Sequence, residues 1–237
     1  MIKLNLIPDR DILLNAPLPE KTNTYTPIPN EFILNLIEEE CHKNNLIILN
    51  ENYKSTLEGD KFIGLFDIQS SNSNIGMRLG FKNSYDKSMS FGLAVGAVVY
   101  ACTNGMICGE INLKRKHTGN ANEIAKEKIR IGIESIQETF ERLLQDKNKM
   151  DNVAINSKIN AELIGRMFLE ENIINSIQLN CIKDQLYNST NFRKITDREY
   201  TMWDMYNHIT ESLKLTHPIT FIQKHIDLHN FITPLIN

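Results

Sequence analysis

The densest positive run in the chain is Lys114-Arg115-Lys116-His117. Clustered lysine and arginine neutralise phosphates and release their counterions. The run leads into a helical pattern that opens near Asn120. A helix N-terminus presents unpaired N–H groups and the positive end of the helix dipole. Cations placed there cost the helix a little, and a bound anion removes that cost. Phosphate is the obvious anion; the plainer alternative is a solvated strand end. Lys82, Lys87, Lys126 and Arg130 flank the run, and Tyr85 stands near Lys87 as a ring on which a base can stack. Residues 78–130 hold nine basic and four acidic side chains, against six and eleven in 1–77 and eleven and fourteen in 131–237. The formal net charge of −3 argues against indiscriminate coating of nucleic acid. Any such binding is therefore expected from one patch.

Other constellations offer less. His225 and His229 stand four apart, the spacing of a helical zinc pair. The glutamate of the usual protease motif is absent, and a third ligand has to come from Asp227, His208 or His217; a plain surface pair is the simpler expectation. The cysteines at 41, 102, 108 and 181 form no CxxC, which excludes a zinc ribbon or a thioredoxin motif. Cys102 ends an apolar run, so a buried thiol is expected rather than a nucleophile served by His117. The chain has no GxSxG elbow and no P-loop. No cofactor, no metal and no catalytic residue is expected.

The elements that position these residues follow from pattern. Five of the seven prolines precede residue 30, so 1–29 reads as an extended arm with a short strand at 2–7. Asn30 is expected to cap a helix over 31–43. Nine of the eleven glycines fall between 59 and 119. Segments near 46–49, 62–68, 75–81, 89–101 and 106–114 alternate or run apolar between turn residues, which predicts an antiparallel meander of about four strands. Asn83-Ser84 opens one turn, and Thr103-Asn104-Gly105 is a hairpin signal. Asn120 and Glu123 resemble a capping box. Ile129, Ile133, Ile136, Phe140 and Leu143 then predict one long helix to about Lys147. Further helices are expected at 157–171, 174–187, 202–214 and 218–230, with 188–200 as the internal hinge. The fold class is α+β: an N-terminal helix, a meander followed by a long helix, and a helical C-terminal region. Residues 30–150 form the core domain and 151–237 the helical part, packed on it as one domain.

No apolar run approaches the roughly 20 residues of a membrane span, and the N-terminal residues lack the apolar block of a signal peptide. Ile occurs 32 times, Asn 28 and Lys 18 against 8 Ala and 8 Arg, a skew that follows an AT-rich genome rather than any chemistry.

Four segments in order, Asn83-Ser84-Tyr85-Asp86-Lys87, Cys102-Thr103-Asn104-Gly105, Arg115-Lys116-His117-Thr118 and Trp203 to Thr210, resemble a phage- and plasmid-borne family described as a domain of unknown function, the nine-three-two family. The resemblance covers about residues 30–215. It implies a mobile-element origin and a place in the host cell cytoplasm, and it brings no agreed activity. A meander followed by a helix also resembles, at fold level alone, the core of Rad52-like single-strand annealing proteins. The expected function is a nucleic-acid-binding accessory protein of replication or recombination, favouring single-stranded DNA. The alternative is a protein–protein adaptor contacting a host or phage protein through the acidic helices and the arm, which can also swap between subunits of a homo-oligomer.

Overall fold

The computed structural model describes residues 10–72, 74–100, 104–115 and 119–237, leaving aside the side chains of 108–115 and of Pro218. The expected strand at 2–7, and Cys102, Thr103, Lys116 and His117, lie outside the described residues. The fold is α+β, as its patterning predicts. Strands β1 (Ile48–Ser55), β2 (Lys61–Ile68), β3 (Ile75–Ser84), β4 (Phe91–Val99) and β5 (Gly105–Arg115) form one sheet in the order β1-β2-β3-β4-β5. Every strand pairs with its neighbour in sequence, so the sheet is a meander of five strands. No helix among the described residues is long and apolar enough to cross a membrane. The chain divides into two compact units: one runs up to Ala97 and includes Gly109–Phe140, the other comprises Val98–Cys108 and Glu141–Asn237.

In the first unit the central strands are buried along nearly their whole length. β2 and β3 pair in strict antiparallel register, Gly64 opposite Phe81 and Asp67 opposite Arg78. The Phe81 ring occupies the space where a side chain on Gly64 would stand, 2.2 Å from the position of a Cβ. It meets Phe66 and Phe62 edge-on at 5.0 and 5.9 Å. One register position is thus glycine because the opposite one is a large ring. Asp67 and Arg78 form a buried pair at 2.6 and 3.1 Å. Gly92 of β4 has a similar close neighbour: the stem of Lys82 passes within 3.1 Å of where a Cβ on Gly92 would be.

The segment before residue 30 differs from the expected arm. Residues Arg10–Leu14 form helix α1 with Leu13 buried, and Tyr25 and Ile28 are buried as well. Arg10 pairs with Glu38 and with Glu51, joining α1 to β1 and to helix α2 (Asn30–Lys43). The apolar side chains of this segment repay burial, and the prolines only set its extended path. α2 packs on α3 (Ala121–Glu134). The expected long helix is interrupted at Ser135, whose hydroxyl donates to the Gly132 carbonyl at 3.1 Å, and it resumes as α4 (Ile136–Asn152).

The second unit holds α5 (Ser157–Leu169), α6 (Ser176–Asn188), α7 (Met202–Leu213) and α8 (Pro218–Ile232). α7 is buried on every side, polar residues included. The segment 188–200, expected as a hinge, is tied at several points. The Arg193 amide donates to Asp204 at 3.2 Å, and the Arg193 carbonyl contacts Nε2 of His208 at 2.8 Å. Ile195 donates to the Leu186 carbonyl, and Ile155 to that of Tyr200. The backbone groups of this polar segment find partners on α6, on α7 and at Ile155 ahead of α5.

Candidate functional site

The first motif turn, Asn83-Ser84-Tyr85, is internal. The Asn83 amide donates to the Ile28 carbonyl and to Asn30 Oδ1, both at 2.9 Å. The Asn30 amide in turn donates to the carbonyls of Leu13 and Gly59 at 3.2 and 3.0 Å. Asn30 therefore does not cap α2; its side chain turns into the core, and Pro29 holds the cap position. Ser84 closes its own loop, donating to the Met89 carbonyl at 2.8 Å and accepting from the Met89 amide at 2.9 Å.

Tyr85 is only 6% exposed. Its hydroxyl accepts the Asn30 backbone N–H at 2.8 Å, and its carbonyl accepts the Tyr25 hydroxyl at 3.0 Å. A ring so enclosed has no face to offer a base, which corrects the expectation of a stacking platform. Asp86 and Lys87 form the exposed tip. Burial works against the charge of Asp86, but hydrogen bonds from Lys61 and Ser88 outweigh it and hold its pKa down to about 2. Lys87, at φ +67°, carries its ammonium over the Tyr25 ring at 4.6 Å.

The second motif turn joins the Trp203 segment. The Asn104 amide donates to the Asn207 carbonyl at 3.1 Å and approaches Asn207 Oδ1 at 3.4 Å. Asn207 itself donates to the Trp203 carbonyl at 2.8 Å. The Val99 amide donates to the Asn104 carbonyl at 2.8 Å, linking the end of β4 to the residue before β5, which Gly105 starts. Two segments about a hundred residues apart thus meet through a buried asparagine pair. Asn83 and Asn104 each anchor their own network within separate units.

The basic residues are distributed unevenly. Arg78 is consumed by Asp67, and Arg130 by Glu127 at 2.8 Å and Glu134 at 3.1 Å on its own helix. Lys82 is half-buried with its stem over Gly92. Lys126 is exposed on α3; the pKa of Glu39 is lowered chiefly by its hydrogen bond with Lys43, and the charge of Lys126 adds last to that effect. Lys114 and Arg115 are the last two residues of β5, at the end of the strand order. Asn120 precedes α3 without a side-chain cap hydrogen bond, so the expected capping box does not form.

The histidines are not a surface pair. His225 and His229 are both buried. His229 Nε2 lies 3.3 Å from Asp146 of α4, and His225 packs against Phe221 with ring centroids 4.6 Å apart. His217 Nδ1 accepts from the Ile219 amide at the start of α8. Among the described residues, no three His, Cys, Asp or Glu side chains are grouped to hold a metal ion. Burial lowers the pKa of His208, against the backbone contact with Arg193. Burial also lowers that of His229, against the attraction of Asp146. Burial raises the Cys41 thiol to about 12, which leaves it a poor nucleophile.

Sequence reasoning missed the Asp146–His229 pair and the Asn104–Asn207 pair. Its one available signal was that Trp203 to Thr210 carries polar residues on all sides of the helix. That distribution ordinarily means solvent, and here it means a polar interior.

Fold and turns together define an α+β protein with a five-strand meander, whose recurrent asparagines serve as internal anchors. The chain belongs to the family described as Domain of unknown function (DUF932), whose family model matches residues 21–220. No curated protein and no solved structure matches the chain.

Proposed function

We propose that this protein is a nucleic-acid-binding accessory factor of a phage or other mobile element, acting in replication, recombination or annealing without catalytic chemistry of its own. Single-stranded DNA is its favoured partner. One observation carries the reading: Lys114 and Arg115 end β5 at the edge of the strand order, six residues before α3 opens without a side-chain cap. With Arg78 and Arg130 neutralised by carboxylates, the positive excess of 78–130 is concentrated toward this run. Lys116 and His117 continue it in sequence, and Lys82, Lys87 and Lys126 contribute only long-range attraction. Tyr85 has no part in it.

The test is fluorescence anisotropy on labelled single- and double-stranded oligonucleotides across a salt series. Wild type is compared with the triple variant Lys114→Ala, Arg115→Ala, Lys116→Ala. For a single strand, each phosphate contact adds about 0.7 to the slope of log K against log salt. The variant is expected to weaken binding and to flatten that slope by about 2. Salt-insensitive binding, or none at low salt, refutes the reading.

The adaptor reading keeps one specific support. Leu169, Ile177 and Leu215, at 75, 67 and 55% exposed, are large apolar side chains left in water in the second unit. In the segment 10–29, Leu13, Tyr25 and Ile28 are already packed, and only Leu14 and Leu18 remain as exposed large apolar side chains for such a contact. A defined complex with a phage or host protein, together with no oligonucleotide affinity, would favour it.

A further inference from the structure

The second unit holds an open cleft of about 520 Å3, a volume within the range of small-ligand sites. Arg166 and Asp227 both line it, with Glu171 beside them and Phe231, Pro234 and Leu235 as its apolar part. Arg166 is pre-positioned: its guanidinium lies over the Phe231 ring at 5.0 Å, and its Nε donates to Glu170 at 3.4 Å. Among the described residues its two Nη groups have no protein partner, and they form the paired donor edge that fits a carboxylate. Asp227 Oδ1 accepts from Gln223 at 2.8 Å, which fixes that carboxylate and, among the described residues, leaves Oδ2 without a protein donor. Arg166 and Asp227 form no ion pair with each other, although they share the cleft.

Opposite charges that face one cleft without meeting leave room for a ligand carrying both. A simple anion would be opposed by Asp227 and Glu171, and a simple cation by Arg166. We propose that the cleft binds a small zwitterion of the amino-acid or dipeptide class with an apolar side chain. Its carboxylate rests on the Nη edge of Arg166, its ammonium on Asp227 and Glu171, and its side chain on Phe231, Pro234 and Leu235. No residue of the nucleic-acid reading is involved, so the two stand or fall separately.

The test is isothermal titration of the full chain with the dipeptide Leu-Leu, its N-acetyl form and its C-terminal amide. Each is titrated into wild type, Arg166→Gln and Asp227→Asn, with circular dichroism melting to verify that both variants fold. Leu-Leu is expected to bind, and acetylation or amidation to weaken it by about tenfold each. Asp227→Asn should then lose most of its discrimination against the acetylated form, and Arg166→Gln against the amide. The proposal is overturned if Leu-Leu does not bind, if the three ligands bind equally, or if folded variants discriminate as wild type does.

Discussion

Gly64 and Phe81 show how one position constrains another across a strand pair. The ring stands where any side chain on Gly64 would begin, and it is itself wedged between Phe62 and Phe66. Gly64→Ala should therefore cost about 2–3 kcal/mol through overpacking, read as a lower urea midpoint with an unchanged m-value. A midpoint equal to wild type would mean that the Phe81 ring moves freely. Asn83 acts through hydrogen bonds instead. Asn83→Ala leaves the Ile28 carbonyl and Asn30 Oδ1 without their donor inside the core. The expected loss is about 2 kcal/mol, since buried groups left unsatisfied bear their full desolvation. Stability unchanged in Asn83→Ala would remove the structural account of this motif residue.

Helix starts turn on backbone geometry as much as on residue type. Asn156 and Asn175 cap α5 and α6 with extended backbone and both accept two amide hydrogen bonds. Asn120, at φ −84° and ψ 49°, makes none, and Asn30 lies inside its helix. With 28 asparagines in the chain, cap-type residues occur near most helix starts, and only those entered in the extended region can cap. The box at α7 does more than begin a helix. Thr201 and Asp204 bond reciprocally, and Asp204 also accepts the Arg193 amide. Asp204→Ala should cost about 1–2 kcal/mol and free the segment 188–200. Hydrogen exchange at the Arg193 and Thr201 amides would then accelerate ahead of the α7 interior, and unchanged exchange at Arg193 would refute the tie.

Acid should act on the molecule through the histidines of the second unit. His208 and His229 have folded pKa values below the ordinary 6.5, because burial disfavours their charged forms. The unfolded chain therefore binds more protons as pH falls past about 6.5, and stability drops in that direction. Above that value their contribution is fully present; it is lost between there and the lowered folded values. The limiting slope is about 1.4 kcal/mol per pH unit for each histidine. Urea midpoints at pH 7.5 and 5.5 should differ accordingly, and less so in His208→Gln. Equal midpoints would show that these histidines titrate normally in the fold.

Local pattern was enough for the α+β class, the run of strands, the helices from α5 to α8 and the turn after Asn83. Alternation, helical spacing and turn residues act over a few positions, so they are legible in one dimension. Partnership was not legible. Whether Tyr85 faces solvent, whether Arg78 and Arg130 are available cations, and whether His225 and His229 lie on a surface all depend on residues far away in the chain. The segment 10–29 reads as an arm because prolines are visible in sequence, whereas the pockets that accept Leu13, Tyr25 and Ile28 are not. Burial and pairing are properties of what the chain brings together from a distance. For that reason most of the elements could be read in advance, and the fate of each polar side chain could not.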